Sequence, residues 1–134
     1  MEIRIIKEKI TKEQLKKFAQ EGYGNMLKAV VDIKKEIMAL GGELHSDAKD
    51  LLLEQGSKQE SLWGIDIYPD RSKDKWIGFN SLVNIRPSVG NRSMGIQDNK
   101  TKDKIRQIIN RLIEPRLEIT KAEEKDKTNK SLTG

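Results

Sequence analysis

Hydrophobic positions come in short runs along the chain, and the spacing within each run changes from one segment to the next. Between Met1 and Lys9, Ile3 and Ile5 fall on one face of an extended chain and Ile6 on the other, with charged residues between them, which predicts an edge strand. Thr11-Lys12-Glu13-Gln14 has the form of a capping box, in which a Thr hydroxyl and a Gln side chain satisfy two free backbone N–H groups at a helix start. Ile10 and Leu15 take the hydrophobic-staple positions around it. Leu15, Phe18 and Ala19 continue at helical spacing, and Gly22 and Gly24 suit a left-handed C-cap, so a first helix is expected over residues 12–21.

From Ala29 to Leu40 two periods compete. Val30, Ile33, Ile37 and Leu40 fit one helix, but the β-branched residues and the following Gly41-Gly42 favour a hairpin turning at Lys34-Lys35-Glu36. Ser46 is the expected N-cap of a short second helix, with Asp47 and Asp50 in its first turn, Leu51, Leu52 and Leu53 on its buried side and Gly56 at its end. Trp63, Ile65 and Ile67 alternate in a strand closed by Pro69, and Asp70 to Lys75 reads as a solvated turn. Trp76 to Phe79 and Leu82 to Ile85 read as further extended chain ending at Arg86-Pro87. In that reading Val83 and Ile85 enter the core, Asn84 and Arg86 lie on the opposite face as surface or pocket residues, and a loop from Ser88 to Asn91 returns the chain as Ser93 to Ile96. Asp98 or Asn99 caps the last helix, whose Ile105, Ile108, Ile109, Leu112 and Ile113 recur with the cleanest helical period in the chain; Pro115 ends or kinks it.

Short helices between hairpin-like strand pairs, without regular βαβ crossovers, predict an α+β fold: a mostly antiparallel sheet with about three helices covering one face. A length of 134 residues fits one domain, placed at residues 1–115. Residues 116–134 form a charged tail, expected to be disordered because only Ala122 and Leu132 are apolar from Thr120 onward.

Composition narrows the chemistry. With 26 Lys and Arg against 21 Asp and Glu the chain is basic by +5, but the signs are interleaved, so the pull toward a polyanion is mild. The absence of cysteine excludes a disulfide, a thiolate nucleophile and Cys-based zinc or iron–sulfur sites, and suits a cytoplasmic setting. The first ten residues are too charged for a signal peptide, and no apolar run approaches the ~20 residues that span a bilayer, so no membrane association is expected.

Three residue groups are candidates for function. Glu43, His45 and Asp47 are spaced two apart, so in an extended segment they would present carboxylate, imidazole and carboxylate on one face, suited to acid–base catalysis or a divalent metal. His45 is the only histidine and so the natural proton-transfer group; the structural alternative is that Asp47 starts the second helix, Ser46 caps it and His45 ties down the loop. Asn84, Arg86, Asn91, Arg92 and Ser93 gather guanidinium, amide and hydroxyl donors that could grip a phosphate or carboxylate, unless the Asn side chains tie down a loop and Arg86 pairs with an acid such as Asp66. Gln59, Glu60 and Trp63 form a polar and aromatic group, with a core tryptophan after a turn as the structural reading. No Walker motif, GxGxxG or nucleophile elbow occurs.

The resulting expectation is a pocket for a small anionic ligand, phosphorylated compounds included, with a divalent metal as the candidate cofactor. The alternative is a non-enzymatic module meeting nucleic acid or a protein through the basic last helix, where Lys100, Lys102, Lys104, Arg106 and Arg111 outnumber Asp103 and Glu114.

Three motifs in order, Gly41-Gly42-Glu43-Leu44-His45-Ser46-Asp47, Gly56-Ser57-Lys58-Gln59-Glu60-Ser61-Leu62-Trp63-Gly64 and Ser81-Leu82-Val83-Asn84-Ile85-Arg86-Pro87 with Asn91-Arg92-Ser93, carry a resemblance. Over about Ile5 to Leu112 the chain resembles a family of small, mainly bacterial proteins catalogued as a domain of unknown function. The resemblance implies no activity and assigns no functional residue.

Overall fold

The computed structural model describes residues 2–114. The expectation of a disordered tail falls outside the described residues. The elements are β1 (Ile3–Ile6), β2 (Ile10–Thr11), α1 (Lys12–Gln20), β3 (Leu27–Asp32), β4 (Ile37–Gly41), α2 (His45–Glu54), β5 (Leu62–Ile67), β6 (Ile77–Gly78), α3 (Asn99–Leu112) and β7 (Ile113–Glu114). Single turns of 3-10 helix lie at Gln59–Ser61, Leu82–Asn84 and Pro87–Val89.

The main sheet has the order β1-β4-β3-β5-β6 with every pair antiparallel, so the fold is α+β with three helices, as the sequence pattern predicts. The hairpin wins over the helix between residues 29 and 40, and its turn shows why. Asp32 is buried, its Oδ1 accepts the backbone N–H groups of Lys34 and Lys35 at 2.9 Å each, and its Oδ2 accepts the Ser57 hydroxyl at 2.6 Å. Glu36 closes the turn at a φ of +59° and is held there by Lys104 and Arg111 of α3.

The helices lie on both faces of the sheet, which corrects the one-face expectation. Leu15, Phe18 and Ala19 of α1 and Ile105, Ile108, Ile109 and Leu112 of α3 pack on Leu27, Ala29, Val31, Met38, Leu40, Trp63, Ile65 and Ile67. Strand alternation puts Val30, Ala39 and Leu62 on the other face, where Ala48 and Leu52 of α2 cover them with Ile3 and Ile5. Both caps of the longer-period helices form as the sequence suggests: Thr11 and Gln14 make the capping box, and Asp98 Oδ2 accepts the Thr101 N–H at 3.2 Å. α3 stops at Leu112, three residues before Pro115, because the residue preceding a proline disfavours helix; Ile113 and Glu114 instead pair in parallel with Ile10 and Thr11.

Two local expectations are overturned. Ser46 is not the N-cap of α2: the cap is Leu44, whose side chain makes no capping hydrogen bond, and the helix already includes His45. The segment Leu82–Asn84 is a 3-10 turn and not a strand, so its burial is inverted, with Leu82 72% and Ile85 41% exposed while Asn84 is fully buried. Nor does a strand return over residues 93–96; the pairing there is one isolated bridge between Arg86 and Asn91. Hydrogen bonding outweighs side-chain hydrophobicity here. β6 covers only Asp66 and Ile67 of β5, which leaves the outward backbone groups of Leu62 and Gly64 to be satisfied by side chains. Asn84 Oδ1 accepts the Gly64 N–H at 2.8 Å, its Nδ2 donates back to Gly64 O at 3.0 Å, and Arg86 donates to Leu62 O at 2.6 Å.

Candidate functional site

A cleft of about 500 Å³ opens on the α2 face of the sheet, in the size range that holds small ligands. The strand register explains its floor. Lys28 of β3 and Asp66 of β5 are direct cross-strand partners, next along this face after Val30 and Gly64. α2 begins beside them, so Leu44, His45 and Ser46 form one wall, and Asn80, Ser81, Leu82 and Val83 with Met94 form the other. Gly64 allows the second wall to sit close: a Cβ there would lie 2.6 Å from Ser81 Oγ and 2.7 Å from Val83 Cγ2.

His45 reaches down from the first turn of α2, and its side chain is only 10% exposed. Its Nε2 lies 2.7 Å from the Ile65 carbonyl oxygen and 3.2 Å from Asp66 Oδ1. A carbonyl can only accept, so Nε2 carries the hydrogen and the neutral ring keeps its lone pair on Nδ1. That hydrogen points to Ile65, so the buried Oδ1 of Asp66 stands beside the imidazole without receiving a hydrogen bond. The arrangement is an oriented histidine with a carboxylate at its back and a free ring nitrogen, which can hold or move a proton.

Of the predicted carboxylate–imidazole–carboxylate set, only His45 enters the cleft. The three-on-one-face geometry needs extended chain, and helix from His45 onward turns Asp47 away; Glu43 and Asp47 are exposed. Glu43 instead offers its backbone oxygen to the Tyr23 hydroxyl at 2.8 Å. Among the described residues no group of three His, Asp or Glu side chains is placed to hold a metal ion.

The predicted donor fork is a structural clamp. Asn91 is buried; its Nδ2 faces the carbonyls of Asn84, Ser93 and Gly95 at 2.7–2.9 Å and its Oδ1 accepts the Gln97 N–H at 2.9 Å. Arg86 is buried beside Trp63, 4.3 Å from the ring centroid, and donates to the backbone oxygens of Gln59 and Leu62, not to Asp66. Burial lowers the pKa of its guanidinium from the usual value, and the nearby Glu60 charge acts against that. Gln59 thus serves through its carbonyl and Trp63 as a core ring, while Arg92 and Ser93 stay exposed, the Arg92 backbone N–H donating to Gln97 Oε1 at 3.4 Å.

On the last helix, three of the five basic residues named for a polyanion partner are engaged by acids of the chain itself. Lys104 and Arg111 converge on Glu36 at 2.8 and 3.3 Å, and Arg106 pairs with Asp103 at 2.8 Å; Lys102 and Arg106 also lie over Phe79, at 6.0 and 5.0 Å. Among the described residues no helix is long and apolar enough to cross a membrane.

The groups that sequence reasoning missed are Lys28, Asp66, Ser46, Asn80 and Ser81. Asp66 carried a signal, since a lone carboxylate between Ile65 and Ile67 must face away from the main core. Lys28 carried none until its register with Asp66 was fixed.

No curated protein and no solved structure matches the chain. A family model does match, over residues 4–112, described as protein of unknown function (DUF5674). Sharing that family's pattern through nearly all of the folded region just described, the chain belongs to the DUF5674 family.

Proposed function

We propose that this domain binds a small ligand through an anionic group in the cleft between the start of α2 and the Leu82–Asn84 turn. The observation that carries the reading is His45, the one histidine of the chain, held by Ile65 O beside Asp66 at the floor of a cleft that also presents Lys28. Lys28 supplies a positive charge, and the first-turn N–H groups of α2, which no side chain caps, add partial positive charge on the same side. The rim is apolar: Leu44, Leu82 and Met94 are 56%, 72% and 43% exposed, more apolar surface than scattered chance exposure needs in one place. An anionic group at the floor and an apolar portion at the rim satisfy both features.

The test is an amide-resolved NMR titration of the full chain with isocaproate and with hexyl phosphate. Saturable shifts centred on His45, Ser46 and Ser81, reduced by Lys28→Ala, are the expected result. Shifts that are absent, or that centre on α3, would overturn the reading.

A further inference from the structure

Resting on the cleft reading above, we infer that its ligand is a zwitterion: a free α-amino acid with an apolar side chain. Lys28 and Asp66 stand side by side on the floor, as direct partners across β3 and β5, so any ligand that meets one charge meets the other. Asp66 Oδ1 is buried against His45, which leaves Oδ2 as the oxygen that a ligand can meet. Lys28 turns its ammonium toward the Tyr23 ring, 5.6 Å from the centroid, and makes no ion pair with Asp66. A ligand with only an anionic group gains Lys28 but is weakened by Asp66, more so for a phosphate dianion, and one with only a cation gains Asp66 but is weakened by Lys28. An α-amino acid carries an ammonium for Asp66 and a carboxylate for Lys28 and the Ser46 N–H on adjacent atoms of one small molecule. Its side chain then leaves the floor toward Leu44, Leu82, Val83 and Met94, whose apolar side chains favour an apolar one. His45, nine-tenths buried and with Nδ1 unbonded by the protein, adds an acceptor at the same floor.

The probes are L-leucine, isocaproate, which is leucine without the ammonium, and isopentylamine, which is leucine without the carboxylate. L-Leucine is expected to bind at least about tenfold more tightly than either, since each lacks one charged hydrogen-bonding group. Asp66→Asn should erase the preference for leucine over isocaproate while isocaproate binding is retained. If isocaproate or hexyl phosphate shifts the cleft residues and leucine binds no tighter, the zwitterion inference is overturned and the cleft reading stands. If none of these compounds shifts the cleft residues, both are overturned. Should Asp66→Asn fail to fold, the comparison of the three probes on the unaltered chain still decides the matter.

Discussion

Asn84→Ala separates a structural amide from a ligand-binding one, and its cost follows from the bonds the side chain makes. Asn84 is fully buried; Oδ1 accepts the Gly64 N–H at 2.8 Å, and Nδ2 faces the carbonyls of Gly64 and Met94 at 3.0 Å and of Phe79 at 3.2 Å. Two Nδ2 hydrogens serve three carbonyls, so two full bonds are counted. Truncation leaves the buried Gly64 N–H unpaired, at about 1–3 kcal/mol, and removes two donated bonds at about 0.5–1.5 kcal/mol each, a total near 4 kcal/mol. For a domain of this size that corresponds to a fall in Tm of roughly 15 °C. Urea unfolding followed by the fluorescence of Trp63 and Trp76, both buried, reads it directly. Asn84→Asp adds a signed test. It keeps an acceptor for Gly64 but turns a second oxygen toward carbonyls, so the folded pKa of the new carboxyl lies above the unfolded one. The stability of that variant is then greatest below the unfolded pKa and is lost as pH rises through the folded pKa. An Asn84→Ala protein within about 1 kcal/mol of the parent would refute the clamp and return Asn84 to the list of candidate ligand residues.

Gly64→Ala should cost about 1–3 kcal/mol by overpacking, because its Cβ would meet Ser81 and Val83 at 2.6–2.7 Å; amide shifts at those two residues check that the cleft wall has moved. Arg86→Lys keeps the charge but lacks the planar fork whose two nitrogens meet the carbonyls of Gln59 and Leu62 and whose face stacks on Trp63, so a loss of roughly 2–3 kcal/mol in urea unfolding is expected, and no change would contradict the fork. Glu36 has its pKa lowered, chiefly by the Lys104 hydrogen bond and charge and further by Arg111. Its stabilising effect is therefore present above the unfolded carboxylate pKa and lost as pH falls through the folded one. The Tm advantage of the parent over Glu36→Gln, which keeps the same strained backbone position, should shrink on acidification; an advantage independent of pH would exclude the ion pairs as its cause.

What the sequence made legible was the part governed by period and by local capping. Ile3 and Ile5 against Ile6, the alternation of Trp63, Ile65 and Ile67, and the Ile105 to Leu112 stripe each name a face without any partner being known, and the observed cores divide the chain on those faces. The loop from Asn80 to Gln97 was misread because its structure is set by the bonding needs of a distant strand. Val83 and Ile85 have strand-like patterning, yet the unpaired backbone of Gly64 and Leu62 draws Asn84 and Arg86 inward and turns Leu82 and Ile85 out. The candidate site was legible only at His45. Its neighbours Lys28 and Asp66 are 38 residues apart in sequence and meet through register, which no local pattern encodes.

The same register explains why the cleft lies where it does. On the main-core face the β3–β5 pairs are Leu27 with Ile67, Ala29 with Ile65 and Val31 with Trp63, all apolar and covered by α1 and α3. On the other face they are Asp32 with Leu62, Val30 with Gly64 and Lys28 with Asp66, so apolar cover is needed only over the middle of the row. α2 supplies that cover with Ala48 and Leu52 and starts at His45, where the floor turns charged. Continuing the helix would bury Lys28 and Asp66 under apolar side chains at a high desolvation cost; starting it there leaves the pair open and sets an imidazole over it. On the reading proposed above, recognition and folding fall to different residues around one cleft: changes at Lys28 or Asp66 would act on what is bound, whereas Asn84, Arg86 and Asn91 hold together the wall facing them.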